Sequence, residues 1–405
     1  MESMSRTTKI AIWRDRRAVA LLMAATLTVM ANATISPALP GLQKMFADDP
    51  HAALLTRLLV TAPSLSVALL APFAGLVVDR IGRRVPLLAG IIVFVIAGSA
   101  GLYLPDLPMI FLSRIALGIA VALIMTAQTA LIGDYFSGEA RSALTGLQIS
   151  ARNFGGLVFI LLAGVVATVS PRWAFGVYGL ALLVLPIAWM VIVEPQRMPS
   201  VGRVVGSSGS NEQRKWRLPF LGLVALQSVT NMFFFIMPTQ LPFFLDAKGY
   251  STAAMTGFML SVLMLSGGSV ALLYARMQRT IGYAGVYAIG YAAMASGFLL
   301  LLTSPVPIFT LAGAALVGAG YAAVSPTFVA LTLVLAPPHR RGLAGGILTA
   351  SVFAGQFISP LVSTAVMMRA GYEGLFLDAA LLLASMAAIA LGAALLRTRK
   401  MSAVK

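Results

Sequence analysis

Gly75-Leu-Val-Val-Asp79-Arg80-Ile-Gly82-Arg83-Arg84 lies where one long apolar stretch ends and the next begins. One carboxylate, three guanidinium groups and two glycines crowd into this short segment of a chain that is only 10% charged. The 405 residues are 59% hydrophobic, with a mean hydropathy of +0.91. A soluble protein of this length has no interior large enough to hide so much apolar surface, so the composition specifies a polytopic membrane protein. The charges of the segment therefore belong at a membrane–water boundary.

A span needs about 20 mostly apolar residues. Working outward from the charged segment, such stretches fall at 18–39, 54–78, 85–104, 109–132, 143–168, 174–193, 218–245, 252–274, 283–303, 308–333, 343–368 and 374–396. Between the sixth and seventh lies 194–217, rich in Gly, Ser and charge and without a hydrophobic period, which has the composition of a linker. The predicted organisation is an N-terminal segment 1–17, a six-helix bundle 18–193, the linker 194–217, a second six-helix bundle 218–396 and a tail 397–405.

The net charge of +16 raises the question of nucleic acid, but no basic helix or aromatic-interleaved patch is present. With both termini in the cytoplasm, the loops on the other side hold only Lys44, Arg172, Lys248 and Arg369 of the 29 basic residues. Arg57, Arg114 and Arg152 fall inside spans, and the rest lie on the cytoplasmic side, as expected for a membrane protein. The stretch 18–39 is too long for a signal-peptide core and reads as a retained span.

The halves also echo each other. At an offset of 200, Gly118 meets Gly318, Ala130-Leu131 meets Ala330-Leu331, Arg141 meets Arg341, Gly146 meets Gly346 and Gly155 meets Gly355. Near the starts of the halves the offset becomes 202, where Leu39-Pro40 meets Leu241-Pro242. An internal duplication of a six-helix unit is a transporter signature.

Six plus six spans, a central cytoplasmic loop and the Gly75-x-x-x-Asp79-Arg80-x-Gly82-Arg83-Arg84 pattern between spans two and three resemble the major facilitator superfamily over nearly the whole chain. The resemblance implies two bundles related by a pseudo-two-fold along the membrane normal, a substrate site at mid-depth and alternating access by rocking. Within the opening segment, Gly75 is expected to let helices approach closely and Gly82 to permit a tight turn. Asp79 is expected to pair with Arg83 or Arg84, or to lie near the start of a neighbouring helix. The resemblance makes the segment a conformational latch, with Asp134 at the end of span four as a further partner.

Arg114 and Gly118 match a second family pattern and share one helical face with Val121, Met125 and Gln128. The resemblance links such an arginine to proton coupling; the alternative is snorkelling to the outer interface. Arg152 lies mid-span, where a charge costs about 2.5–3.5 kcal/mol and reads as functional, with Gln148, Gly155 and Gly156 along or beside its face. The alternative is an arginine satisfied by carbonyls or Asn153. Drug exporters of the family carry Gly-Pro-x-x-Gly-Gly here; this chain keeps Gly155-Gly156 and lacks the proline.

None of the 13 acidic residues falls mid-span, and span one has Asn32 where many proton-coupled members carry a carboxylate. The expected cavity is therefore neutral to cationic, lined by Thr28, Asn32, Ser36, Gln128, Gln148 and Arg152 from the first half. Gln227 and Asn231 with Phe234 and Pro238 form a face of span seven, and Gln356 lies in Gly355-Gln356-Phe-Ile-Ser-Pro360 of span eleven. Phe233, Phe234 and Phe235 read equally well as cavity lining or as lipid-facing.

The chain has no cysteine, and its two histidines, His51 and His339, fall in predicted loops, so neither a metal nor another cofactor is expected, and an enzyme is disfavoured. The reading is a monomeric, all-α, twelve-span transporter in a plasma membrane, of the bacterial inner-membrane kind. Its partners are the lipid bilayer, a small organic solute and a coupled proton. Efflux follows from the exporter resemblance. Uptake of an organic anion by symport or uniport, and lipid flipping on the same fold, remain open on the residues.

Overall fold

The computed structural model describes residues 15–195, 216–250, 252–303, 307–337 and 340–402. Residues 1–14, His339, the last three residues and most of the predicted linker lie outside the described residues. Among those described, every regular element is a helix, and ten helices are long and apolar enough to cross a membrane. Two of the ten are double: Gly282 (φ 69°) and Gly371 (φ 69°) each break one continuous helical run into two. The spans therefore number twelve.

They are α1 (Arg16–Met45), α2 (Ala52–Ile81), α3 (Arg84–Leu102), α4 (Leu107–Tyr135), α5 (Gly138–Ala167), α6 (Pro171–Val191), α7 (Arg217–Ala247), α8 (253–281), α9 (283–303), α10 (Pro307–Leu335), α11 (341–370) and α12 (372–402). Two compact units divide them. The first holds α1–α6 with Thr252–Gly257, and the second holds α7 and the remainder.

Local chemistry sets the ends. Asp15 accepts from Arg17 N at 2.8 Å to cap α1, and Asp106 accepts from Met109 N at 2.8 Å to cap α4, whose first turn carries a proline. Pro37 and Pro40 lack the amide hydrogens a continuous helix needs, and α1 narrows there into the 3-10 turn Ser36–Ala38. The apolar pattern predicts a loop over 275–282, but α8 continues through Arg276 and Arg279 to residue 281. Ala, Arg, Met and Gln are good helix formers, and beyond the bilayer water can satisfy the exposed side chains. Both Pro238 and Pro242 sit inside the uninterrupted α7.

Close helix contacts reproduce the offsets of the sequence repeat. A Cβ on Gly118 would press on the Pro63 carbonyl and stand 2.6 Å from Ser66 Cβ; one on Gly318 would press on the Leu263 carbonyl and stand 2.7 Å from Ser266 Oγ. Gly90 abuts Ala120 and Ile124 as Gly290 abuts Gly320 and Val324. Gly155 abuts Thr26 of α1, and Gly355 abuts Ser228 of α7, which restores the 202 offset at the starts of the halves. The junctions α2–α3 and α8–α9 both turn on a positive-φ glycine, Gly82 and Gly282. The same helix pairs thus meet at the same residues in each unit.

Gly118→Val and Gly318→Val should each destabilise the purified protein by about 1–3 kcal/mol or more, since backbone cannot retreat from the added carbons. Gly146→Ala and Gly346→Ala, where nothing stands within 4 Å of the added carbon, should leave the melting temperature nearly unchanged. Thermal unfolding in detergent compares the four.

Candidate functional site

At the predicted cytoplasmic end of the first unit, the opening segment forms a clasp. Arg83 Nε donates to Asp134 Oδ2 at 3.0 Å, joining the α2–α3 turn to the end of α4. The arginine and aspartate side chains are 22% and 34% exposed, so solvent screens the pair, and it contributes about 0–1 kcal/mol.

The anion at the start of α3 is Glu194. Its carboxylate accepts from Arg83 N at 2.8 and 3.0 Å and from Arg84 N at 2.8 Å, satisfying amides that have no helical partner and meeting the positive end of the helix. Gly82 serves this contact twice: its φ of 112° makes the turn, and a Cβ there would stand 2.7 Å from Glu194 Oε1. Arg84 Nη2 donates to Trp189 O at 2.8 Å while its guanidinium lies 5.3 Å from the Trp189 ring. The Tyr135 hydroxyl donates to Val193 O and accepts from Val193 N at 3.1 Å, with Arg17 over its ring. The ends of α1, α3, α4 and α6 are thereby tied together.

Two expectations change here. Gly75 has nothing within 4 Å of where a Cβ would be, so close helix packing is not its role in this conformation. Asp79 and Arg80 are exposed at the end of α2 and neither stands free, but the carboxylate that caps α3 comes from Glu194, read in the sequence as the first linker residue.

Arg114 is fully buried within the protein. Its Nη2 donates to Ala97 O at 2.7 Å and Gly98 O at 2.5 Å, and its guanidinium lies 5.0 Å from the Phe175 ring and 4.9 Å from that of Tyr178. The first part of α6 is wound as a 3-10 helix, in which residues three apart eclipse, so both rings fall on one face over the cation. Gly98 and Gly101 leave room for those rings. Arg172 completes the arrangement by donating to Gly101 O at 3.0 Å and Leu104 O at 2.7 Å. Two arginines thus close the carbonyl end of α3. Arg57 is likewise buried and bonds Ala53 O at 2.5 Å and Gln43 Oε1 at 3.3 Å.

Deeper in the unit, the Gln128 side-chain amide donates to Leu21 O while its Oε1 is buried without a partner. Gln148 is 8% exposed and its Nε2 has no partner; Arg152 Nε is buried without one. Thr28 bonds its own helix at Ala25 O, and Ser36 Oγ is buried without a partner. Asn32 is buried too, but lies about 16 Å further along α1 than Leu21, so it does not join the Gln128 level.

In the second unit, Asn231 is fully buried, donates to Gln227 O at 2.9 Å and accepts from Tyr321 OH at 2.8 Å. Tyr321 stacks on Phe234 with ring centroids 3.9 Å apart. Phe233, Phe234 and Phe235 are all buried, which removes the lipid-facing reading. Gly355 brings α11 onto α7 beside Asn231, Gln356 is buried next to it in sequence, and Ser359 donates to Met232 O at 2.7 Å. Tyr321 and the hydroxyl pair Thr230–Tyr291 at 2.8 Å were missed by sequence reasoning, because a lone tyrosine in an apolar run carries no periodic signal.

Comparison with known proteins gives a consistent picture. The family model described as "Major Facilitator Superfamily" matches residues 21–284 and 252–405. The chain is 24% identical over 314 residues to "Multidrug resistance protein 1" of Bacillus subtilis, covering 75% of this chain and 78% of that one. It is 26% identical over 146 residues to "Quinolone resistance protein NorA" of Staphylococcus aureus, covering 36% of this chain and 38% of that protein's length. Among solved structures, a D-xylose-proton symporter superposes with a TM-score of 0.74 at 19% identity, covering 91% and 96% of the two chains. The human organic anion transporter MFSD10 (TETRAN) superposes at 0.68 with 20% identity, covering 93% and 99%.

Glu194→Ala should lower the melting temperature more than Asp134→Asn, since it strips the cap from α3, worth about 1 kcal/mol, whereas the ion pair is screened. Raising the salt concentration should shrink the Asp134→Asn effect first. Differential scanning fluorimetry across a salt series checks the order.

Proposed function

The chain belongs to the Major Facilitator Superfamily, and from that premise we propose that it exports small organic solutes across a bacterial inner membrane by alternating access. It is a multi-pass membrane transporter and not an enzyme. Export is supported by its likeness to a protein named for multidrug resistance over three quarters of its length.

The observation that carries the reading of the cargo is electrostatic. Among the described residues the buried charged side chains are Arg57 and Arg114, none is acidic, and Arg152 keeps an unpartnered Nε midway along α5. A lipophilic cation entering such surroundings loses its hydration and meets no counter-charge. The cargo is therefore uncharged or anionic; the first unit offers Asn32, Gln128, Gln148 and Arg152 as candidate contacts, and the second, taken by itself, offers Gln227, Asn231 and Gln356.

The clasp of Gly82, Arg83, Arg84 and Asp134, with Gly75, Asp79 and Arg80 in the same segment, holds one conformational state and opens during the cycle. Export against a gradient needs a driving ion. We assign a proton to that role and Arg114 to its coupling, because movement of α3 would break the bonds Arg114 makes to Ala97 and Gly98. The chain works as a monomer, with both termini in the cytoplasm.

Cells lacking their own pumps and expressing this chain should accumulate less of uncharged or anionic amphiphiles and be little protected from cationic dyes. Preferential exclusion of cations would refute the electrostatic argument. Counterflow in proteoliposomes with and without an imposed pH gradient tests the coupling, and gradient-independent exchange alone would remove the proton. Because the chain has no cysteine, Asp48→Cys should react with a membrane-impermeant maleimide on intact cells and Ser208→Cys only after permeabilisation.

A further inference from the structure

Three of the buried polar atoms of the first unit that lack a partner belong to residues within about one turn of height of each other. Gln128 bonds the carbonyl of Leu21, which fixes its height on α1. Gly155 abuts Thr26, which fixes the height of α5. Arg152 lies one turn nearer the start of α5 than Gly155, a drop of about 4.5 Å, which brings it level with Met23 when the two helices run side by side. Gln148 lies a further turn down on the same face, since residues four apart are neighbours on a helix. Gln128, Gln148 and Arg152 therefore lie along the stretch of α1 from Val19 to Met23, about 6 Å in height.

Each leaves a polar atom without a partner. Arg152 Nε and Gln148 Nε2 are buried donors, and Gln128 Oε1 is a buried acceptor. Buried polar groups are nearly always hydrogen-bonded, so each of these atoms is an open bonding position. The amide of Gln128 is held by its other end, at the Leu21 carbonyl, so its acceptor is aimed and cannot swing away to satisfy itself. The neighbouring glycine, Gly155, lets α5 lie directly against α1. No carboxylate of the chain stands within ion-pair distance of Arg152 among the described residues.

The donors and the acceptor define a ligand. A guanidinium N–H and an amide N–H four residues apart match the two oxygens of a carboxylate, and the negative charge supplies the counter-ion that Arg152 lacks. The acceptor of Gln128 calls for a donor elsewhere on the same molecule, a hydroxyl in the simplest case. We propose that this stretch of the first unit is a carboxylate subsite, in which Arg152 and Gln148 hold the carboxylate of a hydroxylated organic acid and Gln128 accepts from its hydroxyl. The proposal rests on the transporter reading above and narrows its cargo to organic acids. The second half has no counterpart: Phe328, Leu348 and Val352 stand at the positions offset by 200 from Gln128, Gln148 and Arg152, so the subsite belongs to one half alone.

The test uses the full chain purified in detergent, with 4-hydroxybenzoate, benzoate and 4-hydroxybenzamide as probes, read by thermal shift and by titration calorimetry. The acid should bind about ten- to a hundredfold more tightly than its amide, the range expected for hydrogen bonds to a charged group. Arg152→Gln should abolish that preference while leaving the weak amide binding in place, and Arg152→Lys should keep the preference at reduced affinity. Gln148→Leu should weaken the acid several-fold. Gln128→Leu should bring 4-hydroxybenzoate down to the level of benzoate without changing benzoate itself.

Melting temperatures without probe show whether each variant is folded; should Arg152→Gln fail to fold, the lysine and Gln148 variants carry the test. Equal binding of acid and amide, a preference that survives Arg152→Gln, or no stabilisation by any probe at millimolar concentration overturns the subsite. Transport is scored separately in proteoliposomes. Acid that binds with the expected preference but is never moved defeats the transporter reading and leaves the subsite standing. Transport of other solutes without acid–amide discrimination does the reverse.

Discussion

Close approach of backbone to backbone at glycine is the contact on which this structure rests. In lipid the tails are as apolar as the side chains, so burial gives helices little reason to associate, and van der Waals contact between small residues takes over. Gly118 against Pro63, Gly318 against Leu263 and Gly355 against Ser228 are among the tight expressions of this, each allowing a helix to lie on another's carbonyl. With those contacts in place, longer side chains have defined neighbours. Arg114 can reach two carbonyls of α3 because Gly98 and Gly101 have already admitted Phe175 and Tyr178.

The two halves share this skeleton and little of what is attached to it. Gly90, Gly118 and Gly155 have partners in Gly290, Gly318 and Gly355 whose contacts coincide, and Gly82 and Gly282 share the positive-φ turn but not their neighbours. The polar groups singled out above in the clasp and in the interior of the first unit do not repeat. Ala314 stands opposite Arg114 in the alignment of the halves, Arg279 opposite Asp79 and Phe328 opposite Gln128. Duplication preserved what packs and released what binds or clasps, so each half carries its own chemistry on a common frame.

That division also explains what could be read from the sequence. The spans were legible because lipid tolerates almost nothing but apolar helix over that length. The Arg83–Asp134 contact was legible through the family resemblance, which places a partner carboxylate at the end of span four. The repeat was visible as scattered glycines, but only their contacts show why those positions match. Glu194 was not legible: it begins a polar stretch and looks like linker, and its task emerges only when the end of α6 lies against the start of α3. Nor was the setting of Arg114, since a guanidinium held through one nitrogen by two carbonyls and covered by rings leaves no trace in side-chain pattern. The fate of the three phenylalanines depended on which way α7 faces, a rotation that an all-apolar helix does not announce.

Glu194 also bears on how the chain can be divided. A gene split between the halves looks free to fall anywhere in the polar stretch that follows the sixth span. It is not, because the carboxylate that closes the start of α3 sits at the very edge of that stretch. A first fragment ending at Val193 would leave two amides of α3 open, whereas one extended by a single residue would keep them closed. Independent expression of the halves, and any fusion or circular rearrangement of them, therefore has its earliest permissible joint immediately after Glu194.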